Sequence, residues 1–380
     1  MTSHDPETVV DFDIHGLLGI RLHGPSDADI RTVGKHLGLA PTALARAPEI
    51  AIRFVDELPI RGPLRYLGRE DVAFTDDLFV VLRSRNLARA RLAIAFETLG
   101  QHCALTCERG LPAIPLLRQL INLAMLAKGV VPVHAAAFNH SGKGVLVTGW
   151  SHGSKTGSLL AFMADGAQFV GDEWIYLSAE HDSMYGLPDQ LEARPWYLRE
   201  LPEYQKHVGA GDRLRISATD RVARLLSSRV AGSERRNSLA AKVTRQAHQS
   251  LIDQQSIHMR PRELFGADAC VLQSRLDVVV VAVSHEAREI AVAPTLIEKV
   301  AAQMAASFQH EQASLLSTYQ KHLFAFPERR NALLDDAEDI YRKHALRALA
   351  GKQAHTMYHP YPVSTAALRA AIQPLLADRG

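Results

Sequence analysis

The sequence predicts an α/β protein with a mixed central sheet, preceded by a small α+β lobe and followed by C-terminal helices. Three observations lead there. Gly144–Thr148 reads as a short buried strand that runs into a glycine-bearing loop, Gly149–Thr156, and Ser158–Met163 reads as the start of a helix. Val278–Val283 is a run of consecutive apolar β-formers, the pattern of a strand buried on both faces. The residues before about 110 instead alternate short β-like runs with turns, and those after about 296 follow helical spacing. The expected units are an N-terminal lobe over 1–110, a core over 111–300 and a helical segment over 301–380.

In the lobe, Ile50–Val55, Asp77–Leu82 and Ala93–Glu97 carry the branched and aromatic residues that suit strands, with a helix over 30–39 closed near Gly38. Leu111–Lys128 shows a broad apolar helical face stopped by Gly129. Pro132–Phe138 reads as a buried strand ending near His134, and Asn139–Gly144 as a tight hairpin connection into the next strand. Ala167–Glu173 makes another strand that ends in two adjacent carboxylates, Asp172 and Glu173. Amphipathic helices are expected over 296–318, 329–350 and 364–377. Residues 227–250 are polar and basic, and read equally as a solvated loop or as a flap over a phosphate-bearing ligand.

Bulk properties narrow the function. The chain has 380 residues, 43 basic and 41 acidic, for a net charge of +2, so no global field favours nucleic acid or an anionic membrane surface. No apolar run reaches the roughly 20 residues that span a bilayer, and the first residues lack the pattern of a secretion signal. With three cysteines, a disulfide framework is excluded and a reducing, cytoplasmic setting is expected. Cys103, Cys107 and the neighbouring His102 lack a second ligand pair at zinc-site spacing, so buried structural thiols are expected.

The chemistry concentrates in Gly149-Trp150-Ser151-His152-Gly153-Ser154-Lys155-Thr156. This is a Walker A pattern with serine in place of the second glycine. Such a strand–loop–helix cradles a polyphosphate: backbone N–H groups of Gly149, Ser151, His152, Gly153 and Ser154 face it, Lys155 reaches the terminal phosphates, and Thr156 helps hold Mg2+. His134 and the Asp172-Glu173 pair fall on neighbouring strands and converge on the same loop.

Val133–Ala136, Gly144–Thr156, Gly166–Glu173, Arg262–Ala269 with its Leu264-Phe265-Gly266, and Leu276–Val281 together resemble the HPr kinase/phosphorylase family of P-loop serine kinases, over residues 115–295. The resemblance implies a P-loop core of the HPr kinase/phosphoenolpyruvate carboxykinase type. It implies ATP and Mg2+ as cofactors, with Lys155 on the β- and γ-phosphates and Thr156 on the metal. Asp172 would accept the substrate hydroxyl proton, Glu173 would be a metal ligand, and His134 would hold the arrangement. The related kinases form homo-oligomers, which the C-terminal helices could support. The chain departs from the family at His152 and Ser154, which stand where the family has glycine. The family's Glu-x-Arg-Gly segment is also missing, and only Asp253 offers a carboxylate there. Two functional classes follow: a kinase acting on a serine or other hydroxyl of a protein, peptide or small molecule, and a catalytically impaired nucleotide-binding module.

Overall fold

A computed structural model describes residues 8–377 apart from 61, 68–70, 84–88, 152, 215–216 and 219–255. The expected polar segment 227–250 and Asp253 lie outside the described residues. The N-terminal lobe is a mixed sheet of eight described strands: β1 (Val9–Ile14), β2 (Leu18–His23), β3 (Ile50–Val55), β4 (Arg65–Leu67), β5 (Val72–Phe74), β6 (Leu78–Arg83), β7 (Arg89–Ala95) and β8 (Cys103–Glu108). Their order is β1-β2-β3-β8-β7-β6-β5-β4, with β2, β3 and β8 parallel to one another. Helix α1 (Asp27–Leu37) begins on a capping box between Ser26 and Asp29, and Gly38 ends it in the left-handed region at φ 68°. The second helix, α2 (Leu117–Ala127), starts later than its apolar pattern suggested, because Leu116 is left-handed at φ 60°. Cys103, Cys107 and Cys270 are buried free thiols.

The second sheet, of nine described strands, carries the site. It contains β9 (Val131–His140), β10 (Lys143–Gly149), β11 (Gln168–Gly171), β12 (Trp174–Ser178) and β13 (Ser183–Gly186). Helix α3 (Lys155–Met163) follows β10. A small ribbon pairs β14 (Leu191–Ala193) with β15 (Ile257–Met259), with α4 (Pro195–Glu200), α5 (Pro202–Gln205) and α6 (Pro261–Phe265) around it. The large sheet is completed by β16 (Gln273–Arg275), β17 (Val278–Ser284), β18 (Ala291–Pro294) and β19 (Gln353–His359). Its order is β16-β13-β12-β9-β10-β17-β19-β18, with β11 added to β9. The β10–β17 and β17–β19 pairs are parallel and the rest antiparallel.

Alternation along these strands divides two cores. Ala136, Phe138, Val145, Val147, Val278 and Val280 pack with Leu159, Leu160 and Phe162 of α3. Ala135, Ala137, Leu146, Val279 and Val281 face the other way, onto Val300, Met304 and Phe308 of α7 (Ile297–Glu311). A strand with both faces covered needs apolar residues at consecutive positions, which is why β10 and β17 read as unbroken apolar runs.

The C-terminal segment differs from its expectation. The helix expected over 296–318 breaks at Gln312 into α7 and α8 (Ala313–Ala325). Helix α8 turns to the N-terminal lobe, where buried His322 stacks 4.5 Å from Phe96 and 4.9 Å from Phe79. After α9 (Ala332–Asp335) and α10 (Ala337–Leu349), the chain forms β19 between β17 and β18, and α11 (Thr365–Ile372) then packs on α3. Residues 301–380 are therefore not helical throughout, and the core sheet extends past residue 300. Among the described residues, no helix is long and apolar enough to cross a membrane.

At the start of β10, the end away from the loop, its backbone comes into close contact with the end of β16. A Cβ at Gly144 would sit 1.7 Å from the Arg275 carbonyl oxygen. Gly144 N–H also donates to Asp277 Oδ2 at 2.9 Å. Gly144→Ala is expected to destabilise the fold by about 3 kcal/mol, the upper range for overpacking, as read by urea denaturation.

Candidate functional site

Strand β9 is the hub of the site. On one side β10 pairs with it so that Thr148 faces Ala135. On the other, β11 ends with Gly171 opposite Ala137, and β12 begins with Trp174 opposite His134. His134 thus lies within β9 rather than at its end, since the strand runs on to His140. Asp172 and Glu173 are the residues left over between β11 and β12, and they form an irregular turn beside Ala135. Ala135 N–H donates to the Glu173 carbonyl at 3.2 Å, and Glu173 itself is left-handed at φ 68°. The turn places its carboxylates against the loop that leaves β10.

That loop is held close to β17. Gly149 has φ 151°, and a Cβ there would meet the Ala282 carbonyl oxygen at 2.4 Å. Gly153 N–H donates to the Trp150 carbonyl at 3.1 Å. Ser154 caps α3 from the left-handed region at φ 62°, a conformation that costs a residue with a Cβ roughly 1 kcal/mol. His152 lies outside the described residues. A cavity of about 170 Å³ opens beside the loop, lined by His134, Ser151, Gly153, Ser154, Lys155, Thr156, Gly157 and Glu173, and closed opposite by Glu192, Arg194, Tyr197 and Tyr361.

Of the charged groups in and beside this cavity, Lys155 and Asp172 are buried, while His134, Glu173 and Glu311 are partly exposed and engage one another. Lys155 is only 7% exposed, and its Nζ donates to the carbonyls of Trp150 at 3.0 Å and Gly149 at 3.4 Å. Burial pulls its pKa down, opposed by the charges of Glu173, Asp172 and Glu311. Thr156 Oγ1 donates to both oxygens of Asp172, at 3.0 and 3.2 Å. Burial, and then the neighbouring Glu173 charge, push Asp172 up to about 7. Burial acts most strongly on Glu173 and would raise it, but the His134 hydrogen bond and charge, with the Lys155 and Arg118 charges, together hold that carboxyl below its usual range. Two adjacent carboxyls therefore have opposite tendencies, a neutral-leaning Asp172 and an ionised Glu173.

A third carboxylate arrives from an element with no motif to announce it. Glu311, at the end of α7, approaches His134 Nδ1 to 2.9 Å, while Glu173 approaches Nε2 to 3.2 Å. The Nδ1 contact is close but poorly aligned as a hydrogen bond, so its strength is chiefly that of an ion pair. Burial lowers the His134 pKa, but the two carboxylates outweigh it and raise it overall. Trp174 stacks on the same ring at 5.9 Å, and Trp150 stacks on His310, bringing the end of α7 over the loop. Glu311→Gln is expected to move the His134 titration to lower pH, because one of the two acidic partners that favour imidazolium is lost. Ring-resolved NMR across a pH series reads that shift.

The structure thus brings together His134, Lys155, Thr156, Asp172 and Glu173. It places Glu173 against His134, and Asp172, not Glu173, against Thr156. Sequence reading also missed Glu192, Arg194, Tyr197 and Tyr361. For Glu192 and Arg194 a signal existed: they alternate with buried Leu191 and Ala193, so they share the open face of one extended segment. Leu264-Phe265-Gly266 lies apart from the cavity lining, with Phe265 tilted against Phe169 and edge-on to Tyr204. Among the described residues, no group of three or more His, Cys, Asp or Glu side chains is placed to hold a metal ion.

No family model matches the chain, and no curated protein matches it. Among solved structures, the chain is similar to the Hpr(Ser) kinase/phosphatase from Coxiella burnetii. The identity is 11% and the TM-score 0.28, over 64% of this chain and 95% of that one. This is a weak likeness at the level of fold: a mixed α/β protein with mixed sheets.

Proposed function

We propose that the protein is an ATP-dependent phosphotransferase that moves the γ-phosphate to a serine or other hydroxyl of a protein, peptide or small molecule. The observation that carries this reading is that Lys155 and Thr156 line one cavity where a helix begins, with buried Asp172 accepting from the Thr156 hydroxyl directly behind it. The residues fit a polyphosphate. The hydrogen-bond acceptors of Lys155 Nζ are two neutral carbonyls, so its charge is available to an anion beside it. Successive N–H groups at the start of α3 add partial positive charge in the same direction.

Bound Mg-ATP supplies the transferable phosphoryl group and the metal's neutralising charge. Mg2+ commonly takes one or two protein oxygens and completes its shell with phosphate and water, so the Thr156 hydroxyl would suffice as its holder and leave Asp172 free as base. Lys155 neutralises phosphate charge. Asp172, titrating near 7, accepts the acceptor's hydroxyl proton. His134 stands between Glu173 and Glu311 and keeps the Asp172-Glu173 turn fixed against β9.

The test is a mass-shift search: γ-¹⁸O-labelled Mg-ATP, cell extract and the protein should yield label on an acceptor hydroxyl. Binding of Mg-ATP without label on any acceptor would count against transfer and favour the nucleotide-binding module.

A further inference from the structure

The loop position where the sequence departs from the Walker pattern is not an empty substitution. Ser154 is 5% exposed, and its hydroxyl oxygen has no hydrogen-bond partner. Tyr197, from α4, is 2% exposed, and its hydroxyl also lacks one. Both residues line the cavity that holds Lys155 and Thr156. The two hydroxyls lie near enough to influence one another, yet they complete no hydrogen bond between them. Buried polar groups are ordinarily satisfied, so two orphaned hydroxyls on one cavity call for a ligand atom between or beside them.

The surroundings show that this pair is built. The Tyr197 ring lies against Gly157, where a Cβ would come within 2.4 Å of its Cζ and 2.7 Å of its hydroxyl. Gly157 therefore makes room for the tyrosine at the first turn of α3. Ser154 keeps a strained left-handed backbone that glycine would adopt freely, and residual strain at a cavity wall is a pointer to use. Burial raises the Tyr197 pKa, so its hydroxyl stays protonated as a donor.

We infer that Ser154 Oγ and Tyr197 Oη are side-chain donors to an oxygen of a polyphosphate anion, supplementing the backbone N–H groups of the loop. This rests on the nucleotide reading above for the identity of the anion, but the hydroxyl pair itself requires only a phosphate-type oxygen. Serine here is then a specificity-determining residue rather than a damaged glycine.

The two views differ in sign for one substitution. Ser154→Gly restores the unstrained loop and removes the hydroxyl. If the serine is a donor, affinity falls; if it is only an obstruction, affinity rises. Calorimetry with Mg-ATP and, separately, with pyrophosphate should be run on the wild type, Ser154→Gly, Ser154→Ala and Tyr197→Phe. Each variant is expected to bind about tenfold more weakly, the loss of one hydrogen bond to a charged acceptor. Ser154→Gly should melt at or above the wild-type temperature without ligand, which separates lost affinity from lost fold.

Ser154→Gly binding either probe as tightly as wild type, or more tightly, overturns the inference and leaves the nucleotide reading standing. Wild type that binds pyrophosphate but not Mg-ATP, with weakened variants, supports the hydroxyl pair and removes ATP as donor. Wild type that binds neither probe overturns both.

Discussion

Lys155→Ala is expected to abolish Mg-ATP binding, with affinity lower by at least about a hundredfold. Hydrogen bonds between charged partners contribute about 1.5–3 kcal/mol each, and a buried ammonium that donates to two neutral carbonyls, with carboxylates acting on it only through space, can engage more than one phosphate oxygen. The fold should tolerate the change, because the side chain's hydrogen bonds are to the carbonyls of its own loop, and far-ultraviolet circular dichroism checks this. Calorimetry is the readout. Nucleotide affinity that survived intact would mean that the anion does not sit at the start of α3.

Asp172→Asn is expected to leave Mg-ATP affinity within a few-fold of wild type and to lower single-turnover transfer by about a thousandfold, within the range for losing a general base. The amide keeps an acceptor for Thr156 but cannot take a proton. The pH dependence follows from the raised pKa. Burial and the Glu173 charge favour the protonated carboxyl, so below about 7 the base is mostly neutral and inactive. The wild-type rate should therefore rise with pH through about 7 and then level off. A rate already at its plateau at pH 5, or an unchanged rate in Asp172→Asn, would remove Asp172 from the proton transfer. Glu173 behaves oppositely because His134 helps stabilise its charge, and since His134 is itself raised from its ordinary value, loss of the limb in Asp172→Asn is what assigns it to Asp172.

Much of the core was legible because its physics is local. Strands β10 and β17 are covered on both faces, so each consecutive position had to be apolar, and the pattern shows without knowledge of the neighbours. The hairpin between β9 and β10 was equally local: Ser141 and Gly142 both adopt positive φ, as a tight two-residue turn requires. Strand β19 was hidden because its sequence, Gln353-Ala354-His355-Thr356-Met357-Tyr358-His359, mixes polar residues into a buried position in the sheet. His355, Thr356 and His359 are all buried, and His359 Nε2 contacts the Gly153 carbonyl at 3.3 Å. The break at Gln312 was hidden for a similar reason. Helices α7 and α8 are both amphipathic, but they face different cores, and the boundary between them is set by tertiary packing.

The candidate site divides along the same line. Lys155, Thr156, Asp172, Glu173 and His134 were found because they lie at characteristic distances within one stretch of chain. Glu311, Tyr197 and Tyr361 were not, because they arrive from elements distant in sequence and have no short motif. The roles of the two carboxylates could not be read from adjacency. Only the structure shows Thr156 on Asp172 and His134 on Glu173; burial beside the Glu173 charge raises Asp172 against the Thr156 hydrogen bond, while His134 helps hold Glu173 low.

The central claim is that the loop from Gly149 to Thr156 binds a nucleotide polyphosphate. Titration calorimetry of the wild-type protein with ATP in the presence of Mg2+ tests it most directly, with GTP as the comparison. Saturable one-to-one binding of Mg-ATP that disappears in Lys155→Ala is expected. No heat of binding at millimolar ATP, or equal binding by wild type and Lys155→Ala, would contradict it.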